Sequence, residues 1–212
     1  MFVIQVDLDF RLHFPDHVGS LFKELPKLAP GIISAARLSR KISVVELIRE
    51  YDEQQHSAEL SIRDYSYAVL ALLHLLPSSN TRQKGRLSCT ELEKSLVAFK
   101  PEHCCIAEIL NAKKDDPNKQ PSLLCLGSKD KPLKFFIILD AQAVGLGDCG
   151  IVRAVDCLFK AHHVFWVDYG KCLERFMEFL QKVIYKIEAS KLSPRVQELH
   201  RSILSLTASE IE

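Results

Sequence analysis

Two continuous apolar runs constrain this chain more than any other feature: Leu123 to Leu126 within SLLCLG, and Phe135 to Leu139 within KFFIILD. Each has the length of a strand and is bounded by Pro121, Gly127, Pro132 or Asp140, the pattern of strands buried on both faces. The connection between them, SKDKPLK, is too short for a crossover, so the two should pair antiparallel. From Ile151 the period changes. Ile151, Ala154, Val155, Leu158 and Phe159 share one helical face while Arg153, Asp156 and Lys160 fall on the other, which predicts a helix lying on the sheet as far as Val164. VFWVDY then reads as a third strand, parallel to the second through a right-handed crossover, completing a β-β-α-β unit from Ser122 to Tyr169.

The same stretch holds the glycine pattern Gly145-Leu-Gly147-Asp-Cys-Gly150. Between a strand and a helix, such glycines let a pyrophosphate approach the helix N-terminus, and Asp168 stands near the spacing of a ribose-binding acid. The alternative is a structural loop, and three features favour it. AQAV separates the strong strand from the first glycine, the preceding strand reads as a hairpin partner, and only helical signals follow Tyr169.

Elsewhere the pattern is helical. Met1 to Phe10 reads as a short strand or an ordered arm. Val18, Leu21, Phe22 and Leu25 predict an amphipathic helix that Pro26 and Pro30 disrupt, with a separate short helix over Ile32 to Leu38. Ser43 with Glu46 forms a capping box for the next helix. After the polar run YDEQQHSAEL, with Ser61 and Asp64 as candidate caps, DYSYAVLALLHLLP is apolar nearly all round and predicts a central buried helix. Its Leu72-x-x-Leu75-Leu76 spacing matches a helix-docking pattern that core helices also produce.

Ser88 and Glu91 predict a helix to about Phe99, Pro101 starts another, and the polar segment NAKKDDPNKQP marks a boundary. Leu173, Phe176, Met177, Leu180, Ile184 and Ile187 form one stripe of a helix expected to cover the sheet. Ser193-Pro194 opens a last helix with Val196, Leu199 and Ile203 inside. The expectation is an α+β fold: a helical part over residues 1–112, and a small mixed β-β-α-β sheet with C-terminal helices over 113–212, as two subdomains or one domain.

Composition narrows function by exclusion. With 28 basic and 27 acidic residues among 212, the net charge of +1 gives no global attraction for nucleic acid or anionic membrane. The clearest local basic patch is Arg82, Lys84 and Arg86 in PSSNTRQKGR, a solvated loop or a weak nucleic-acid surface. The N-terminus lacks a signal-peptide pattern, and the longest apolar segment, Tyr65 to Leu76, is too short to span a bilayer. Seven cysteines suit a reducing compartment, so an intracellular location in cytoplasm or nucleus is expected. His103, Cys104 and Cys105, with Cys149, Cys157, His162 and His163, form no metal-ligand spacing and read as packing residues, and there is no nucleophile or P-loop motif. No catalytic residue, metal or cofactor is therefore expected.

The ordered segments LHFP at Leu12 to Pro15, LLHLLP at Leu72 to Pro77, PSLLCLG at Pro121 to Gly127, FFIILD at Phe135 to Asp140, AVDCLFKAHHVFWVDY at Ala154 to Tyr169, FLQKVIY at Phe179 to Tyr185 and SPRVQEL at Ser193 to Leu199 carry a resemblance. Over roughly residues 10–206 the chain resembles the C-terminal region of the sterile alpha motif domain-containing protein 3-like proteins, an expanded group of fish proteins with a mobile-element-like distribution. It departs from the long members in starting almost directly before LHFP, without a sterile alpha motif domain. The resemblance implies no catalytic or ligand residues. It implies attachment to an interaction domain, so a non-enzymatic protein-interaction or regulatory module with a protein partner is the leading expectation. A nucleotide-binding protein using Gly145, Gly147, Gly150 and Asp168, and a nucleic-acid-associated, mobile-element-derived protein, are the alternatives.

Overall fold

The computed structural model describes residues 2–54, 62–77, 89–113, 120–129, 131–140 and 142–209. Arg82, Lys84, Arg86, Ser61, Ser88 and residues 114–119 of the expected boundary segment lie outside the described residues. The helices are α1 (Phe2–His13), α2 (Ser20–Arg37), α3 (Ile42–Gln54), α4 (Ile62–Leu75), α5 (Cys89–Leu96), α6 (Ile106–Lys113), α7 (Ile151–Val164), α8 (Glu174–Phe179) and α9 (Pro194–Ser209). The strands are β1 (Val97–Lys100), β2 (Ser122–Gly127), β3 (Pro132–Leu139) and β4 (Gln142–Gly145), and the fold is α+β, mostly helical with one small mixed sheet. The chain divides into two compact units, each drawn from two separated segments: residues 1–18 with 93–171, and 19–92 with 172–212. The division follows contacts remote in sequence.

In the first unit the sheet order is β1-β2-β3-β4. The β2–β3 pair is antiparallel, with Leu124 opposite Phe136, and β2 is buried on both faces, as its unbroken apolar run predicts. Gly127 makes their turn possible: its φ is +116°, and a Cβ there would collide with the Lys131 carbonyl. Two strands differ from expectation. Val97 to Lys100, read as the end of a helix, pairs parallel to β2, because α5 stops at Leu96. Gln142 to Gly145, read as a spacer, pairs antiparallel to β3.

Helix α7 has the predicted bounds, and its charged face is covered as well as its apolar one. It touches β2 and β3 on one side and α1 on another, so Asp156 and Lys160 are buried along with its apolar residues. Phe2 to Phe10, within the stretch read as a strand or arm, is most of α1. Val6 and Phe10 are its buried residues, four apart as a helix requires. Asp7 reaches across to α7: Lys160 Nζ donates to Asp7 Oδ1 at 2.6 Å and to Asp156 Oδ2 at 2.8 Å. Arg153 bonds Asp156 Oδ2 at 2.6 Å and also pairs with Asp7. Two cations and two anions thus alternate, and each buried charge meets an opposite one.

The second unit is helical. Helix α2 runs unbroken through Pro26 and Pro30, which the sequence reading takes as breaks. An interior proline costs about 3 kcal/mol, yet α2 buries nine residues between Leu21 and Ala36, enough to outweigh two such losses. It packs on α3, α4 and α9. Gly31 sets the approach to α9, since a Cβ there would collide with the Ile203 carbonyl. Helix α4 is the expected buried element, with Leu72, Leu73, Leu75 and Leu76 all inside. Helix α8 continues through a π-helical turn, Leu180–Ile184, and contacts α9, so the C-terminal helices belong to this unit while α7 covers the sheet. Ser193, read as the cap of α9, donates its Oγ and N–H to the Glu178 carboxylate at 2.6 and 2.7 Å, tying α9 to α8.

The charge cluster gives a test of the first unit. Asp156→Ala leaves the buried Lys160 ammonium with Asp7 as its one remaining anion and should lower stability by about 1.5–3 kcal/mol in urea unfolding. The double variant Asp156→Ala with Lys160→Met should recover most of that loss, whereas additive losses would show that the two charges are not coupled.

Candidate functional site

Helix α1 is apolar on two sides. Its inner row is buried, but the outer row Ile4, Leu8 and Leu12, spaced four apart, is 65%, 48% and 81% exposed. Phe165 and Trp166, in the turn after α7, are 46% and 83% exposed. They flank the same helix. Phe165 stacks on Phe2 at one end, with ring centroids 6.4 Å apart, and Trp166 meets His13 edge-on at the other at 6.0 Å. Phe2 and His13 lie roughly 130° round α1 from Leu8 with the hydrogen-bonded pair Gln5 and Asp9 between, so the exposed apolar surface of the first unit is two clusters, the outer row of α1 and the Phe165–Trp166 pair.

The backbone beneath Trp166 is strained. Helix α7 ends with Phe165 N–H on the Ala161 carbonyl, its last α-helical bond, and Val167 N–H on the His162 carbonyl, the six-to-one bond of a Schellman stop. That motif places its next-to-last residue in the left-handed region, where glycine is usual, and here the residue is Trp166 with φ +52°. An L side chain costs about 1–2 kcal/mol there. The helix stop also explains why VFWVDY is not the third strand that its composition predicts. Val164 ends α7, and Phe165 and Trp166 turn out to solvent instead of pairing.

An aromatic cluster lies beneath α1 and the turn after α7. His163 lies against Phe10, Phe14 and Phe159 at centroid distances of 6.0, 5.6 and 4.7 Å, and its Nε2 is 2.8 Å from the Tyr169 hydroxyl. Lys160 Nζ sits 5.8 Å from the Phe10 ring centre. Burial, then the neighbouring His162, push the His163 imidazole down to about 4. Burial likewise lowers His162, although its Nδ1 meets the Val167 carbonyl at 3.1 Å. For Asp7, burial acts upward, but hydrogen bonds from Lys160 and Arg153 and their charges leave the carboxyl below its ordinary value.

The glycine loop lies elsewhere on this unit. Gly145 ends β4 in an antiparallel hairpin, and Leu146 N–H extends the pairing to the Phe135 carbonyl. Gly147 has φ +74°, so it serves the turn, and Gly150 is the extended N-cap of α7; a Cβ at either would meet open space. Asp168 is exposed in the segment after α7, not at a strand end. Burial raises the Cys125 and Cys157 thiols to about 11 and 12, so both stay protonated at neutral pH. Among the described residues, no three histidine, cysteine or carboxylate side chains are grouped to hold a metal, and no helix is long and apolar enough to cross a membrane.

Compared with known proteins, the chain matches no family model, no curated protein and no solved structure. The exposed clusters are the feature that reading for motifs misses. Their signal in the sequence was the apolar residues of α1 in excess of one helical face, together with the chain's single tryptophan.

Two measurements bear on the site. Between pH 6.5 and about 4 the unfolded chain binds a proton at His163 that the folded chain refuses, so stability is full above 6.5 and falls as pH drops. Discounted for partial exposure, the loss should be on the order of 1–2 kcal/mol. His163→Gln, which cannot titrate, should flatten that part of the urea-midpoint profile. Trp166→Gly should relieve the left-handed backbone and raise stability by about 0.5–1 kcal/mol, the reverse of what removing a buried tryptophan does.

Proposed function

We propose that this chain is a non-enzymatic protein-interaction module that docks through two neighbouring exposed clusters, the Phe165–Trp166 pair and the outer row of α1. The exposure of Trp166 on a strained backbone carries the reading. Strain held in a native structure clusters at functional sites, and tryptophan is enriched among the residues that dominate binding energy. The resemblance to a group that attaches such a region to an interaction domain supports the same reading, and free thiols at Cys104, Cys105, Cys125, Cys149, Cys157 and Cys172 suit a reducing, intracellular setting.

A photo-crosslinking residue placed at Leu12 tests this, with Ile42, another exposed apolar position, as control. A discrete protein adduct at Leu12, identified by mass and lost when Leu8→Glu is added, is the expected result. Adducts at Ile42 with none at Leu12 would remove the function from this row.

A further inference from the structure

We infer that Ser193 is a phosphorylation site, the acceptor of a proline-directed protein kinase, and that its phosphate replaces the tie between α9 and α8 with a cap on α9 itself. The site lies on the second unit and does not depend on the docking clusters described above. Three observations carry it.

The first is the acceptor sequence. Among the chain's nine prolines, Pro194 alone follows a serine or threonine. A kinase that requires proline after the acceptor reads its fixed φ and missing N–H, and Ser193-Pro194 supplies both. Residues 186–193 form neither helix nor strand, the state in which a kinase groove takes an acceptor, and Lys191 and Pro194 on either side of Ser193 are exposed. In the reaction, Ser193 Oγ attacks the γ-phosphorus of Mg-ATP, the bond to the bridging oxygen breaks, ADP leaves, and the hydroxyl proton passes to the catalytic carboxylate of the kinase.

The second is what the hydroxyl holds. Ser193 Oγ donates to Glu178 Oε2 at 2.6 Å and its N–H donates to Oε1 at 2.7 Å, so one carboxylate receives both donors. Lys182 Nζ lies 3.5 Å from the same carboxylate and 3.2 Å from the Lys191 carbonyl. A phosphoseryl group carries a charge of about −1.5 to −2 and no longer has the hydroxyl proton to donate. With Glu178 it would set roughly three negative charges against Lys182, so the phosphate and the carboxylate part.

The third is where the phosphate goes. Gln197 N–H donates to the Ser193 carbonyl at 2.9 Å, which makes Ser193 the N-cap of α9, while its hydroxyl reaches across to α8. Repelled from Glu178, a phosphate at that position meets the N-terminus of a 16-residue helix, whose dipole favours an anion. Helix α9 keeps its seat on α2, where Gly31 lies under Ile203. Phosphorylation thus frees residues 186–193 from α8 without unwinding α9.

The test is incubation of the full chain with a cyclin-dependent kinase and Mg-ATP, followed by intact mass, peptide mapping and hydrogen exchange. The expected result is a single phosphoryl group, on Ser193, that Ser193→Ala does not acquire. Val196 is fully buried, so the kinase reaches Ser193 when the first turn of α9 opens. Glu178→Ala removes the acceptor that holds this turn shut and should raise the initial rate about tenfold, the factor that one charged hydrogen bond represents. In the phosphorylated chain, exchange over residues 186–193 should rise several-fold while α9 around Ile203 stays unchanged. Glu178→Gln, which removes the repulsion, should shrink that rise.

A native chain that takes up no phosphate overturns the site, as does uptake that persists in Ser193→Ala. Uptake in Glu178→Ala alone also overturns it, because the tie then shields the serine in the native protein. Phosphate on Ser193 with unchanged hydrogen exchange over residues 186–193, or with an equal rise in Glu178→Gln, overturns the replacement of tie by cap. A rate unaltered by Glu178→Ala overturns it too, since the carboxylate would then not be holding the segment.

Discussion

Lys160 has no contact with water, and an ammonium in that position persists only if opposite charges surround it. Its two anions come from different places: Asp156 lies one turn earlier on α7, whereas Asp7 lies on α1, 153 residues away. That requirement fixes which helix can lie over α7 and in what register. Once Asp7 is seated, Phe10 falls against Phe159 and His163, and the outer row of α1 turns to solvent. The buried charges therefore contribute specificity of docking more than net stability, because a matched ion pair roughly offsets its own desolvation.

The same packing decides where conformational strain is kept. A glycine at position 166 would end α7 with less strain, and the chain carries tryptophan there instead. Folding alone gives no reason for that choice, since the indole is exposed and its packing against His13 does not require burial. The proposed interaction role would give one: a large, stiff aromatic surface held in place in advance loses little freedom when it docks.

The hairpin of β2 and β3 was legible because both strands are apolar on both faces, a pattern that needs no partner to be recognised. Helix α4 and the inner face of α9 were legible through their period. The failures have specific causes. Val97 to Lys100 follows a good helical cap, and its strand state comes from pairing with β2 beyond the reach of local propensity. VFWVDY has strand composition, but α7 already ends in a hydrogen-bonded stop that uses its first residues. Pro26 and Pro30 broke α2 on paper, while burial along the rest of the helix held it together. The glycine loop resembled a fingerprint because the sequence does not show that β4 is a hairpin strand.

By itself, then, the sequence determined the α+β class, the β2–β3 pair, the bounds of α7 and the near-neutral charge, because each depends on periodicity or composition within a short window. It also placed Arg153, Asp156 and Lys160 together on one face of α7. Whether that face met solvent or α1 was decided only in the tertiary structure, since Asp7 and the helix bearing it stand nearly 150 residues away and no local pattern couples them. The exposed row of Ile4, Leu8 and Leu12 is the consequence: a helix apolar on two sides can bury only one of them within its own unit, and long-range charge pairing chose which.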